Sequence, residues 1–468
     1  MSGISGIVTL NGAPADPALL DRMAARLALR GPDGVASRRM GPAGFAHALL
    51  RTGDAVEDVP QPLSVDGRTW IVADARIDGR DELVRALRAG GATASSHAPA
   101  AELILHALRM WGDAAPEHLL GDFAFAAWDA DRRRLLCARD PFGVKPFYYA
   151  VAGGALIFSG SLDVVRAHPA VPATLDDAWL ADFLVHGSPQ EPDSTVYAKV
   201  RQLAPGHALT VEDGAVRVQR WWALPEDAEP LRLRGPREYV DAFLPVLREA
   251  VRDRLPDAGA SFFLSGGRDS TSLAALANEV VARGERRTRF LGLTAHYTRL
   301  MPDREREFTQ LAADALGIPM RFTAADDYAV FGRWEAPEMR RPQPSESLLG
   351  ALAADQMGQA AEHGRVLLTG HGGDSVFRET PSWLTRLALQ GRPLRALAEA
   401  AQYAWWHGRI PRPGVRTWLR TRRGVRRAWP AAVPPWVAPE FARRIAIEER
   451  VAAQNAWHPS RHPLRPEA

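Results

Sequence analysis

Two short stretches of this 468-residue chain combine glycines with an aspartate. The first, Leu264-Ser265-Gly266-Gly267-Arg268-Asp269-Ser270, follows an apolar run. The second, Gly370-His371-Gly372-Gly373-Asp374, follows another. Glycine tolerates unusual φ and close approach, so backbone N–H groups around Gly266 and Gly267 can converge on one concavity. A helix opening at the next residues adds its unpaired N–H groups and its positive end. Such a nest suits phosphate. It is not a Walker A loop, since that spacing and its Lys are absent. Asp269 supplies the hard oxygen that holds a divalent cation against phosphates. Alone, this stretch also reads as a glycine turn capped by Ser270. The second Gly/Asp turn changes the balance, because Asp269 and Asp374 could then flank one metal–pyrophosphate.

That convergence needs a particular arrangement of elements. After residue 236 the chain alternates strands and helices: strands at Ser261–Leu264, Phe290–Thr294, Pro319–Phe322 and Val366–Thr369, helices at Thr271–Ala282, Arg304–Leu316 and Leu348–Glu362. Glycines 284, 317 and 364 close the helices. The rhythm predicts an α/β, doubly wound parallel sheet with ligand loops at the carboxyl ends of its strands. The first 220 residues read differently. Short apolar runs broken by Gly, Asp and Pro predict strands, interrupted by helices at Pro17–Leu29 and Ala101–Trp111. This is an α+β pattern. The Pro-rich segment 224–236 is the expected linker, giving domains 1–223 and 237–468.

Composition narrows the class. With 46% hydrophobic and 24% charged residues the chain reads as globular, and its length calls for two domains. No apolar run approaches the roughly 18 residues of a membrane span. The start, MSGISGIVTL, lacks a basic n-region, the pattern of a chain without a signal peptide. Cys137, the only cysteine, excludes intrachain disulfides and cysteine metal clusters and fits a cytoplasmic setting. Charge is uneven: from Arg378 onward there are 17 Arg and six Glu, without Lys or Asp, and seven of the 14 Trp. Such a tail reads as amphipathic helices showing Arg to water and burying Trp, or as a groove for an acidic or peptidic substrate. No recognised motif supports nucleic acid as the partner.

SGGRDS followed by GHGGD resembles the synthetase half of the asparagine synthetase family, built on an ATP-pyrophosphatase fold. The resemblance implies that Asp269 and Asp374 bind Mg²⁺ and pyrophosphate while a carboxylate is adenylated and then captured by an amine. It implies ATP contacts at Leu264, Ser265, Gly266, Gly267, Asp269, Ser270, Gly370, Gly372 and Gly373, with Leu293 and Thr294 cradling adenine. Arg268 replaces the family's apolar residue. The acidic Glu305 and Glu307 fall where relatives approach ATP, although DREREF equally reads as a solvated helix start. His371 stands where relatives carry Glu or Tyr near the reacting carbon. A neutral imidazole there could take the proton of the attacking ammonium; the alternative is a turn histidine bonded to backbone.

The first half is similar to the glutaminase half of the same family: MSGISG to its MCGI start, Arg30–Asp33 to its RGPD, and Gly121–Tyr149 to a long fold signature. This implies an N-terminal-nucleophile αββα sandwich. Its working residues depart. Ser2 replaces the nucleophilic Cys, and Ala73-Asp74-Ala75 replaces the Asn-Gly-Glu of the oxyanion hole. One oxyanion donor is worth about 10²–10³ in rate, so the domain is expected to be an inactive scaffold. A synthetase without glutaminase draws its amine from the substrate. The GHGGD loop and PPWVAPEFARR (Pro434–Arg444) resemble lasso-peptide macrolactam synthetases, implying a precursor peptide as substrate, with a leader protease and a leader-binding protein as associated partners. Asparagine synthetase and a dead scaffold are the alternatives. The family also places a Lys after the second Asp loop, whereas the lysines here are Lys145 and Lys199. Either a tail Arg has taken that role or the sequence is truncated, and amide formation is expected to be slow or absent.

Overall fold

The structure, a computed structural model, describes residues 2–52, 59–225, 231–345, 347–373, 383–389, 391–408, 410–411 and 433–456. The chain divides into two compact units, Met1–Thr369 and Gly370–Ala468.

The first unit begins with β1 (Gly3–Thr9), α1 (Pro17–Leu27), β2 (Gly34–Met40), β3 (Ala43–Leu49), β4 (Thr69–Ile77), α2 (Arg80–Ala89) and α3 (Ala100–Trp111). It continues through β5 (Gly121–Asp129), β6 (Arg134–Arg139), β7 (Tyr148–Ala152), β8 (Ala155–Ser159), α4 (Leu162–Arg166) and α5 (Asp177–His186). Strands β9 (Arg201–Gln202), β10 (His207–Glu212) and β11 (Ala215–Arg220) complete this part. They form a six-stranded sheet, β2-β3-β1-β8-β7-β9, and a five-stranded one, β11-β10-β6-β5-β4.

Alternation along the strands gives each sheet two apolar faces. Ile4, Phe45 and Phe158 of the first sheet meet Val72, Ala126, Leu135 and Leu209 of the second in one core. The outer face of the first sheet, with Ile7 and Ile157, is covered by Met23 and Leu27 of α1 and Leu162 and Val165 of α4. The outer face of the second takes Leu83 and Leu87 of α2 and Leu103 and Ile104 of α3. The layers run helix, sheet, sheet, helix, as the resemblance implies. Helix α1 stops at Leu27 and leaves Leu29 exposed, two residues short of expectation.

The third sheet is parallel. Strands β12 (Gly259–Phe263), β13 (Arg289–His296), β14 (Met320–Ala324) and β15 (Val366–Thr369) lie in the order β14-β13-β12-β15. Around them are α6 (Pro236–Arg254), α7 (Arg268–Ala282), α8 (Glu305–Leu316) and α9 (Gly350–His363). Val251 of α6, Ala277 of α7 and Ala313 of α8 cover one face with Ala260 and Phe262. Ala360 of α9 packs on Leu291 and Leu293 of the other. All four expected strands are present. Strand β13 runs past the expected Thr294, because Ala295 and His296 pair with Thr323 and Ala324 of β14. Helix α6 was not legible: residues 236–246 are all exposed, so they show no buried stripe, and Pro245 interrupts the pattern.

In the second unit, helices Trp383–Leu389 and Pro393–His407 pack together, and Leu384 and Ala396 are buried. Helices Pro439–Arg444 and Ile447–Ala456 follow. Trp405 and Trp436 are exposed, so the reading of the tail as helices that bury their Trp fails at these two positions. Among the described residues, no helix is long and apolar enough to cross a membrane.

The amino ends of β12 and β15 nearly touch. A Cβ on Gly364 would overlap the Gly259 carbonyl, and one on Gly259 would overlap that of His363. Gly364→Ala is therefore expected to cost about 1–3 kcal/mol in denaturant unfolding, the usual penalty of overpacking.

Candidate functional site

The first glycine turn is built between β12 and α7. Leu264 donates its N–H to the Leu293 carbonyl (3.0 Å), and the Thr309 hydroxyl of α8 donates to the Leu264 carbonyl (3.3 Å). Below the turn, Ser270 Oγ accepts from Ser265 N (3.2 Å) and lies 3.0 Å from Ser265 Oγ, which in turn accepts from Gly267 N (3.3 Å). These hydroxyls fix the loop from its inner side. Gly266 stands at φ +67°, and a Cβ there would press on the backbone of Phe308 and Thr309. The position requires glycine on both counts. Helix α7 then opens on Gly267 with no side-chain cap, and Asp269 lies in its first turn. Uncapped N–H groups, the positive helix end and a half-buried carboxylate oxygen beside them are a donor set that fits a phosphate with its cation.

The second glycine turn belongs to the second unit. Gly373 N donates to the Gly370 carbonyl (3.2 Å) and Gly372 has φ +88°. His371 is exposed. Asp374 lies outside the described residues. Among the described residues no three His, Cys, Asp or Glu side chains gather as a metal site.

The other expected contacts divide. Leu293 is fully buried with its side chain in the core, and its carbonyl accepts from Leu264 N. Thr294 is buried too, two residues inside the strand end. Glu307 is exposed and paired with Arg304 (2.9 Å), a solvated helix start. Glu305 is half-buried, and burial together with Asp303 raises its carboxyl.

Two aspartates that the sequence gave no reason to choose shape the next loop. Asp303 accepts from Tyr297 N (2.8 Å) and Glu305 N (2.6 Å). Asp326, after β14, accepts from Thr298 N (2.6 Å), Thr298 Oγ1 (2.9 Å), Arg299 N (3.1 Å) and Leu300 N (2.8 Å). Desolvation pulls the Asp326 carboxyl upward, but these donors outweigh it and hold it far below the usual range. The loop after β13 is thereby fixed at the carboxyl edge of the sheet, beside the turn of Gly266.

In the amino-terminal sandwich, Ser2 Oγ accepts from Leu50 N (3.1 Å). Asp74 is buried and bonded to Lys145 Nζ at 2.9 Å. The triplet expected to have lost its oxyanion donors thus carries a carboxylate neutralised by a lysine. His47 is buried nearby on β3; desolvation lowers it to about 4, against the opposing pull of Asp74. Its Nε2 has no hydrogen-bond partner among the described residues.

Comparison with known proteins follows the same division. Residues 1–222 match the model of a glutamine amidotransferase domain, and 242–465 that of asparagine synthase. The chain is 29% identical over 282 residues to asparagine synthetase [glutamine-hydrolyzing] 3 of Bacillus subtilis, covering 59% of this chain and 45% of that protein. It is 27% identical over 296 residues to amidase chry2 of Gibberella zeae, covering 59% and 42%. Among solved structures, glutamine phosphoribosylpyrophosphate amidotransferase from B. subtilis overlaps 75% of this chain and 70% of its own, at 16% identity and a TM-score of 0.35, too low to carry weight. The chain belongs to the asparagine synthetase family, with a glutamine amidotransferase domain followed by an asparagine synthase domain. It spans less than half the length of the curated relatives it matches.

The buried imidazole has a pH signature. Below its ordinary pKa of about 6.5, His47 takes a proton in the unfolded chain but not in the folded one, so it removes stability as pH falls toward 4. Between about pH 7 and pH 5 this amounts to roughly 2 kcal/mol. Urea unfolding of wild type and His47→Gln at both pH values should show that much less acid sensitivity in the variant.

Proposed function

We propose that the chain is an ATP- and Mg²⁺-dependent ligase that joins a side-chain carboxylate to an amine, with a precursor peptide supplying both groups in a lasso-type macrolactam. The observation that carries the ligase reading is the turn of Gly266, where a helix end without a side-chain cap, a backbone cradle and Asp269 coincide. In this reading residues 1–223 are a scaffold, 224–236 a linker, and 237–468 a doubly wound ATP-pyrophosphatase domain with its basic tail. The setting is cytoplasmic, and a leader protease and leader-binding protein are the associated partners.

The chemistry runs in two balanced steps. A carboxylate oxygen of the substrate attacks the α-phosphorus of ATP, and the bond to pyrophosphate breaks. The amine then attacks the acyl carbon, the bond to AMP breaks, and one proton leaves the nitrogen. The Gly266 amide and those of the first turn of α7 hold the departing pyrophosphate, while Gly267 N braces the turn through Ser265 Oγ. Asp269 and Asp374 would hold a Mg²⁺, which would supply charge neutralisation to the leaving pyrophosphate. His371 receives the proton. Backbone of Ser265, Ser270, Gly370, Gly372 and Gly373 completes the cradle.

A second reading, synthesis of asparagine from aspartate, is favoured by the likeness to the B. subtilis asparagine synthetase. In either case the amino-terminal domain hydrolyses no glutamine. An oxyanion needs donors, and the buried Asp74 offers an acceptor, its charge spent on Lys145.

ATP–pyrophosphate exchange by the full chain should depend on added carboxylate substrate, peptide in the first reading and aspartate in the second. Asp269→Asn and Asp374→Asn should each lower it by roughly 100-fold or more without unfolding the chain, as loss of a metal ligand predicts. Exchange at the wild-type rate in either variant contradicts the shared metal site. No glutamate should form from glutamine, and Ser2→Ala should leave amide formation unchanged.

A further inference from the structure

The two strands that carry the glycine turns are gripped at their other ends by the amino-terminal sandwich. Five residues before β12, Arg254 at the end of α6 reaches Asp78 (2.6 Å) and both oxygens of Asp122 (3.2 Å). Arg76 also reaches Asp78 (3.3 Å). Next to it, Asp253 accepts from Gly79 N (3.0 Å). Asp78 and Gly79 directly follow β4, and Asp122 lies in β5. One residue before β15, Arg365 donates to the Asp33 carboxylate and to the Arg51 carbonyl (3.0 Å). Asp33 is held in turn by Arg51 N (2.7 Å). The Arg365 guanidinium holds the Asp33 carboxyl below its ordinary range.

Strand β15 needs such a grip. It is four residues long, parallel, and among the described residues paired on one side only, to β12. Short parallel edge pairing is weak and frays readily. Asp33, last residue of the Arg30–Asp33 motif that marks a glutaminase by resemblance, is engaged at the joint between the domains.

We propose that the amino-terminal domain braces the synthetase sheet, with Asp33 a positioning residue that fixes β15 through Arg365, and Asp78 and Asp122 fixing β12 through Arg254. The brace itself stands apart from the ATP reading; only its consequence for nucleotide binding rests on that reading.

Amide hydrogen exchange on the unliganded full chain tests it. Arg365→Met and Asp33→Asn should each speed exchange at Leu367, Leu368 and Thr369 about fivefold, and the double variant no further. Exchange in β13 should not change. Arg365→Lys, which keeps the cation, should restore part of the protection. Arg321→Met, which removes the exposed pair with Glu362 (2.6 Å) beside the opposite edge strand, should leave β15 unchanged. Unaltered exchange in Arg365→Met, or fully additive effects in the double variant, overturns the brace. ATP titration of the same proteins reads the consequence. Wild type that binds no ATP but shows the exchange pattern keeps the brace and removes the ATP reading.

Discussion

The site depends on a backbone position that has no room for a side chain. Gly266 has positive φ and lies against the chain of α8, so the turn after β12 can pass close beneath that helix only as glycine. Passing there aims the first turn of α7 outward at the carboxyl edge of a parallel sheet, where ligand loops collect. Ser265 and Ser270 then fix the inner side of the turn. Asp303 and Asp326 do the same for the loop beside it. Ser265 N and Gly267 N are taken up by the serine hydroxyls, which leaves the Gly266 amide and the first turn of α7 for a ligand.

The amino-terminal domain combines a regular four-layer build with a buried ion pair. Its four layers are intact, with cores between the sheets and beneath both helix layers. A buried carboxylate at Asp74 is tolerable because Lys145 stands 2.9 Å away, and breaking such a pair would leave an uncompensated charge. The acidic residues at the ends of β4 and β5 serve a different purpose, meeting Arg254 across the joint to the synthetase domain.

Much of this was legible in the sequence because it is local. Short apolar runs alternating with glycine-closed helices identified all four parallel strands, and the glycine–aspartate pairs marked the turns that follow two of them. The departures from the family pattern at Ser2 and Ala73-Asp74-Ala75 were equally visible. What could not be read depends on distant partners. Lys145 lies 71 residues from Asp74, and Asp326 lies 26 to 28 residues from the amides it holds. The joint of Asp33 with Arg365 spans 332 residues. Helix α6 was missed for the opposite reason, since most of it is exposed and periodicity reveals only what is buried. The two residues by which β13 outruns its expected end were not legible either, since they are set by pairing of Ala295 and His296 with β14.

The central claim is that the turn of Gly266 binds the phosphates of ATP, and calorimetric titration of ATP with Mg²⁺ onto the full chain tests it most directly. Wild type should bind one equivalent, and Gly266→Ala should bind at least about tenfold more weakly, the equivalent of the backbone strain a side chain imposes there. The variant's circular dichroism should remain that of the wild type. Equal affinity in the two proteins, or no binding by the wild type, would contradict it.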